Sequence, residues 1–548
     1  MKPGKELLFC ALGGSGEIGM NVNLYGCDGK WLMVDLGMTF GANEYPGVEL
    51  VFADLEFIEE QRENLAGIVL THGHEDHIGA VPYFAADLGV PIYATPFTAR
   101  LVIDKLEEAG LVDAVDLRII DHGNAFALGP FDVSYLPLAH SIAEGNALLI
   151  DTAYGRIFHT GDWKLDDEPL VGIPTSSEAL AAIGDEGVLA LVCDSTNVFN
   201  PAASGSEGAV YRGLLEEVGR HPGRRVMVTT FASNVARLYT LGEVARATGR
   251  QLCIAGRSLE RIIRTGQASG YLKDLPVVVN MDSAMNLPRG EVLIVATGGQ
   301  GEPRAALSRV AEGNHPIALE AGDVVLFSSR QIPGNEIAIG RIQNRLADRD
   351  IVIVTDRQCL IHVSGHPGRP ELEALYGWLR PEILIPVHGE IRHMREQGRL
   401  GKACGISQIV NQKNGDLVRL APGKPGKFAS VRAGRLVLDG DIIAPADGEA
   451  MVMRRRLAHN GIVIVALDAR LRAQVAGVGL PLDEDYDLFV EEAVADVHAA
   501  LANLKGGRRN EPDKVHEAAR LAARRAAQRW SGKKPQVQVI LPLELSKS

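Results

Sequence analysis

The stretch "THGHEDHIGA", Thr71 to Ala80, sets three histidines, a glutamate and an aspartate within six residues, directly after the apolar run "LAGIVL". A short apolar run that stops at a polar turn reads as a buried strand. In an extended turn, residues two apart point the same way, so His72 and His74 can share one ion. Asp76 and His77 fall at the start of a following helix and can turn toward a second. Imidazole and carboxylate together suit zinc or a similar divalent ion. A solvated, histidine-rich turn would account for one such residue. Four ligand types in H-x-H-x-D-H order point to a metal site. A metal site needs further ligands, which should come from other strand ends, and many strands with few helices over roughly the first 200 residues suggest a layered α+β domain.

Three residues end apolar runs just before polar or glycine turns. They are His140 in "YLPLAHS", Asp162 in "FHTGDW" and His388 in "LIPVHGE". His159 shares the surroundings of Asp162 two residues earlier and is the weaker candidate. "GGSGEIGMNVNLY" carries Gly14, Gly16 and Gly19 in dinucleotide-fingerprint spacing, with Asp35 about twenty residues on. A nucleotide site needs a helix after the glycines, and "MNVNLYG" alternates as a strand does. The glycines therefore read as a β-turn, and Asp35 as a carboxylate supporting a metal ligand.

The 548 residues are too many for one ordinary domain. Residues 1–204 read as short strands with helices near 78–88 and 96–109. Residues 205–350 change rhythm to three strand–loop–helix units, beginning at "RRVMVTT", "EVLIVAT" and "DVVLFSS". Residues 351–449 return to strands and a Gly/Lys-rich linker. Residues 450–548 read as a small domain with one strand, two helices (about 487–504 and 513–530) and a last strand. No apolar run is long enough for a transmembrane helix. The N-terminus lacks a secretory pattern, so a cytoplasmic location and no membrane partner are expected. Six scattered cysteines without a C-x-x-C pair read as buried free thiols. The net charge of −13 argues against a nucleic-acid binder that uses its whole surface, but not against a local basic groove. The basic runs at Arg454–Arg456 and Arg508–Arg509 read as solvated faces.

H-x-H-x-D-H with a downstream His, an Asp and a final His resembles the metallo-β-lactamase superfamily. An α/β insert interrupting that domain resembles its β-CASP group. "DSTN" (Asp194), "HVSGH" (His362 to His366) and "PVHGE" (His388) are similar to the group's further motifs. "GGSGEIGMN", "HTGDWKLD", "FASNV", "GGQGEP" and "IPGNE" look most like the ribonuclease J family. The resemblance implies an αββα sandwich interrupted by the β-CASP insert, with a small α/β C-terminal domain for dimerisation. It implies a metal-dependent ribonuclease with 5′–3′ exonuclease and endonuclease activity on single-stranded RNA, in RNA maturation and mRNA decay. Two Zn2+ per chain would be held by His72, His74 and His140 and by Asp76, His77 and His388, with Asp162 bridging. Mn2+ and Mg2+ are the alternative ions. His366, oriented by Asp194, would protonate the leaving 3′ oxygen. His362, Val363, Ser364, Gly365 and His366 would bind substrate. Ser233, Asn234, Ser329 and Arg330 are candidate RNA contacts. Helix N-termini in the insert would form a pocket for a 5′ monophosphate. A homodimer or homotetramer and an RNA-decay complex are the implied partners.

The chain departs from the family pattern at Ala236, where histidine is usual, at Gly299, where serine is usual, and at "SGHPGRPE". None is a candidate metal ligand. The rival readings are a small-molecule metallo-hydrolase, a DNA-directed β-CASP nuclease and a metal-free RNA scaffold. The first needs neither the insert nor "HVSGH", and the last does not need the full ligand set.

Overall fold

A computed structural model describes residues 4–41, 45–174, 176–332 and 334–541. The chain forms two compact units, residues 1–39 with 52–434 and residues 40–51 with 435–548.

The first unit is built on a sandwich of two sheets. One has eight strands in the order Gly426–Ser430, Asp416–Ala421, Leu7–Gly13, Val22–Cys27, Lys30–Val34, Leu65–Val69, Ile92–Ala94 and Leu117–Ile119. The other has seven, in the order Ala125–Leu128, Phe131–Pro137, Asn146–Thr152, Gly155–His159, Ala190–Asp194, Ile383–Val387 and Gln408–Ile409. Phe9, Tyr25 and Val69 of the first meet Phe131, Tyr135, Leu148 and Ile385 of the second in one buried core. Helices Ser177–Glu186, Arg369–Leu379 and Ile391–Ala403 close the outer face of the second sheet through Leu180, Leu372, Leu375 and Leu400. Helix Pro96–Ala109 packs on the edge strands of the first. This is the expected αββα sandwich, with an α/β insert between Asp194 and Ile383.

The insert carries a six-stranded parallel sheet in the order Val278–Val279, Gln251–Ala255, Val292–Ala296, Val226–Thr229, Val324–Phe327 and Val352–Thr355. The three anticipated strand–helix units are present. A fourth, strand Gln251–Ala255 leading into helix Arg257–Ala268, was not anticipated. Only Gly256, at φ 143°, separates its strand from its helix, so no polar loop marks it in the sequence. Strand Val352–Thr355, which the sequence reading gave to the returning segment, pairs with Val324–Phe327 as an edge of the insert's sheet.

In the second unit, strand Ile462–Leu467 lies between Ala473–Val478 and Gln536–Ile540. Helices Tyr486–Ala502 and Pro512–Ser531 pack on it through Phe489, Val497, Ala519 and Ala523. Strand Ala473–Val478 went unread because "AQVAGV" mixes small and polar residues without a clear period.

No helix among the described residues is long and apolar enough to cross a membrane. All six cysteines are free. Four are buried, whereas Cys359 is half-buried and Cys404 exposed, so the expectation of uniformly buried thiols fails at these two.

Candidate active site

The H-x-H-x-D-H turn is held by backbone as much as by side chains. The chain leaves strand Leu65–Val69, and Glu75–Ile78 forms one helical turn. Asn21 N donates to the Asp76 carbonyl at 2.8 Å and Leu36 N to the His77 carbonyl at 2.8 Å. Gly37 allows this approach, because a Cβ there would lie 1.8 Å from the Asp76 carbonyl oxygen. Asp35 and His388 both adopt left-handed backbone conformations, at φ 64° and 49°. Such conformations cost energy in non-glycine residues and gather at functional sites.

The structure brings all seven candidate ligands together. His72, His74, His140 and Asp162 offer ligand atoms that lie within 4.8 Å of one another, and so do Asp76, His77, Asp162 and His388. Asp162 is common to both groups. His159 belongs to neither; its Nδ1 meets the Tyr25 hydroxyl at 2.7 Å. The glycine-rich turn carries no nucleotide helix: strand Val22–Cys27 follows it, and the Gly14 carbonyl accepts His388 N at 2.6 Å.

Hydrogen-bond partners fix which imidazole nitrogens carry protons. Asp35 accepts from His77 Nδ1 at 2.7 Å and from Thr71 Oγ1 at 3.0 Å. The Thr71 hydroxyl, its proton so engaged, accepts from His72 Nδ1 at 3.0 Å. His140 Nδ1 donates to the Gly365 carbonyl at 2.5 Å. The Nε2 lone pairs of His72, His77 and His140 are thereby turned inward. His72 Nε2 and His140 Nε2 each lie 3.1 Å from His74 Nδ1, where one proton can serve only one of them. Thr196 Oγ1 donates to the His388 carbonyl at 2.8 Å and accepts from His388 Nδ1 at 2.7 Å. That leaves His388 Nε2 facing the Asp76 carboxylate at 3.0 Å, two acceptors face to face unless a proton or a cation lies between them.

The electrostatics agree. Burial pushes His72 and His140 well below the usual imidazole range and His74 down to about 4, so this group is neutral. Burial also opposes charge on His77 and His388, yet Asp162 and the neighbouring carboxylates lift both well above that range. The carboxylates there favour positive charge beside both rings. Converging lone pairs beside buried carboxylates fit divalent cations, and the donor set fits zinc.

Next to this cluster, His366 Nδ1 lies 2.7 Å from Asp194 Oδ2. Burial would lower the His366 pKa, but the Asp194 carboxylate raises it overall. His366 and His388 stack with ring centroids 5.6 Å apart. The 362–366 loop presses on the ligands, since a Cβ at Gly365 would sit 2.9 Å from His140 Cε1. The Ser364 hydroxyl accepts from His366 N at 3.1 Å and from Asn197 Nδ2 at 3.4 Å. His362 and Val363 line a cavity of about 1050 Å³ together with Ser329 and Arg330. Burial, then Arg237, Arg330 and Lys164, push His362 down to about 3, and its Nδ1 has no hydrogen-bond partner.

The insert reaches the ligands directly, for Ser233 Oγ lies 3.0 Å from His74 Nε2. Ser233, read from the sequence as an RNA contact, thus touches a candidate ligand. Asn234, read the same way, is buried and caps helix Val235–Ala247, accepting from Arg237 N at 2.9 Å. The support given by Ser233, Thr196 and the Gly365 carbonyl was missed in the sequence.

Residues 18–182 match the metallo-beta-lactamase superfamily, and residues 223–346 the ribonuclease J beta-CASP domain. Residues 350–410 match the Zn-dependent metallo-hydrolase RNA specificity domain, and residues 449–542 the ribonuclease J C-terminal domain. A crystal structure of an Enterococcus faecalis V583 protein of unknown function shares the fold, with TM-score 0.55 and 15% identity over 76% of this chain and 100% of that one. Ribonuclease J of Mycobacterium tuberculosis H37Rv is 34% identical, over 95% of this chain and 94% of its own. Ribonuclease J of Sinorhizobium meliloti is 40% identical, over 99% of this chain and 98% of its own. With a matching relative along nearly its whole length, the chain belongs to the ribonuclease J family of metal-dependent ribonucleases.

Proposed function

We propose that this ribonuclease trims single-stranded RNA from a 5′-monophosphorylated end, one nucleotide per step, and cuts internally where a strand can thread to the site. The reading is carried by one observation: the His366–Asp194 pair stands beside the converging ligand atoms. His72, His74 and His140 would hold one Zn2+, and Asp76, His77 and His388 a second, with Asp162 between them. Manganese or magnesium would serve in their place. Such ions supply a nucleophilic water at neutral pH and positive charge against the phosphate. Asp194 fixes Nδ1 of His366, so its Nε2 is the atom that gives up a proton. As the water oxygen gives up a proton to solvent and bonds to phosphorus, the P–O3′ bond breaks and O3′ takes the proton from His366. The products are a 5′ phosphate and a 3′ hydroxyl. Metal analysis together with cleavage of end-labelled RNA and DNA tests the reading. Equal cleavage of DNA would make the chain a general nuclease.

The 5′-phosphate preference rests on polar groups at the strand ends of the insert. Thr230 and Ser329 are buried, and both hydroxyls lack hydrogen-bond partners. They line a cavity of about 100 Å³ with Gly298, Gly299 and Gln300. One RNA carrying a monophosphate, a triphosphate or a hydroxyl at its 5′ end should be degraded fastest as the monophosphate. Losing hydrogen bonds to a charged phosphate costs about 1.5–3 kcal/mol, roughly 10–100-fold in rate. Equal rates on all three ends, or mononucleotides released first from the 3′ end, would refute it.

We assign self-association to residues 450–548 and action in the cytoplasm. Every candidate ligand precedes that segment, and its helices and strands close a core of their own. Deleting it should shift the sedimentation of the protein to a smaller species while metal content stays unchanged. An unchanged oligomer refutes the assignment.

A further inference from the structure

Arg237 is one of the largest fully buried side chains in the protein, and the reaction just described does not use it. It sits in the first turn of helix Val235–Ala247, at the root of the insert. Its Nη2 donates to both Glu207 carboxylate oxygens, at 3.2 and 3.1 Å. Its Nη1 donates to the Ser328 carbonyl at 3.0 Å and the Ile361 carbonyl at 3.1 Å, and also meets Ser328 Oγ. The Ser328 hydroxyl donates to the same Ile361 carbonyl at 2.6 Å.

These partners lie on three separate segments. Glu207 opens the first helix after the chain leaves the sandwich, Glu207–Gly219. Its backbone N donates to Asp166 Oδ2 at 3.0 Å, and Asp166 pairs with the buried Lys164 ammonium at 2.6 Å. Lys164 follows Asp162 by two residues. Ser328 directly follows strand Val324–Phe327 of the insert. Ile361 immediately precedes the 362–366 loop. A linked set of buried charges therefore runs from the segment behind Asp162, through the root of the insert, to the loop that bears His366.

We propose that Arg237 is a positioning residue for RNA cleavage. By fixing the Ile361 carbonyl against Glu207 and Ser328, it holds the 362–366 loop where His366 reaches both Asp194 and the leaving oxygen. An apolar pair could brace the core equally well, because burying two charges offsets most of their attraction. What an apolar pair lacks is direction. The guanidinium fork sets three segments at fixed angles to one another. The role rests on the reading of His366 as the proton donor.

The test compares two leaving groups. One substrate is a 5′-monophosphorylated RNA, and the other is the same RNA with sulfur in place of the scissile 3′ oxygen. A thiolate departs without a proton, so a misplaced acid harms only the oxygen substrate. Arg237→Met/Glu207→Met removes both charges at similar volume and leaves neither unpaired. Relative to the parent protein, metal content and KM should hold, and kcat on the oxygen substrate should fall roughly 10–100-fold, as for a group misplaced by about 1 Å. The sulfur substrate should lose less than about 3-fold, there being no proton transfer to misplace. Arg237→Lys and Ser328→Ala, each milder, should show the same split to a smaller degree, and they carry the test if the double variant does not fold. Equal losses on both substrates, or no loss on either, overturn the inference. His366→Ala is the reference. If it shows no split, the proton-donor reading fails; if it does and the Arg237 variants do not, only the positioning role fails.

Discussion

Replacing Asp162 with alanine should strip the protein of the two ions proposed above and reduce cleavage to that of metal-depleted protein. Asp162 Oδ2 lies 3.3 Å from His77 Nε2, 3.8 Å from His140 Nε2 and 3.9 Å from His72 Nε2. Asp162 Oδ1 lies 3.4 Å from His388 Nδ1. Asp162 is the carboxylate common to both groups of ligand atoms. Without it, inward lone pairs remain with half their negative charge removed, and a divalent cation loses the ligand common to both positions. Asp162→Asn sharpens the test. The amide keeps the shape but carries no charge, and its N–H groups can satisfy the imidazole lone pairs with no ion present. Elemental analysis of purified variants alongside an end-labelled RNA assay gives the answer. Two ions per chain, or full cleavage, in Asp162→Ala would sink the shared-carboxylate reading.

The candidate ligands were legible because each follows an apolar strand within a few residues, and each connecting turn is short enough to read locally. Asp35 was legible for the same reason, and it does hold His77. What escaped were groups that act through distant parts of the chain. The Gly365 carbonyl that orients His140 is 225 residues away, and a backbone oxygen leaves no trace in residue type. Ser233 lies 159 residues from His74 and reads as an ordinary loop serine. Arg237 did leave a signal. Helix Val235–Ala247 is buried almost all round, at Val235, Ala236, Leu238, Thr240, Leu241 and Val244. A cation in such a helix must find a buried partner, so a pairing could have been inferred, though not with Glu207 in particular. In the insert, strand Gln251–Ala255 was lost for the opposite reason: its boundary is a single glycine rather than a polar turn. The sequence signals were thus strongest at turns and weakest where long-range contacts set the geometry.

His366→Ala should retain its metals and bind RNA, yet cleave about 10²–10⁴-fold more slowly, the usual cost of losing a general acid. His366 belongs with Asp162, Asp194 and His388 in a third cluster of ligand types. Its Nδ1 is committed to Asp194, and Asp194 is anchored in turn, accepting from Thr196 N at 2.8 Å. With its ring about a quarter exposed, at 24%, it is far more open than the buried imidazoles of His388 and His140. An imidazole that is oriented, whose charged form is favoured by a buried carboxylate, and that is open on one side is suited to give up a proton. Asp194→Asn should reproduce part of the loss, because the amide can no longer favour the charged ring. Sulfur in place of the scissile 3′ oxygen should restore most of the rate in both variants, since the leaving thiolate needs no proton. If His366→Ala instead loses its metals along with its rate, and sulfur restores nothing, His366 is a structural member of the ligand cluster, and the proton must reach the leaving oxygen from solvent.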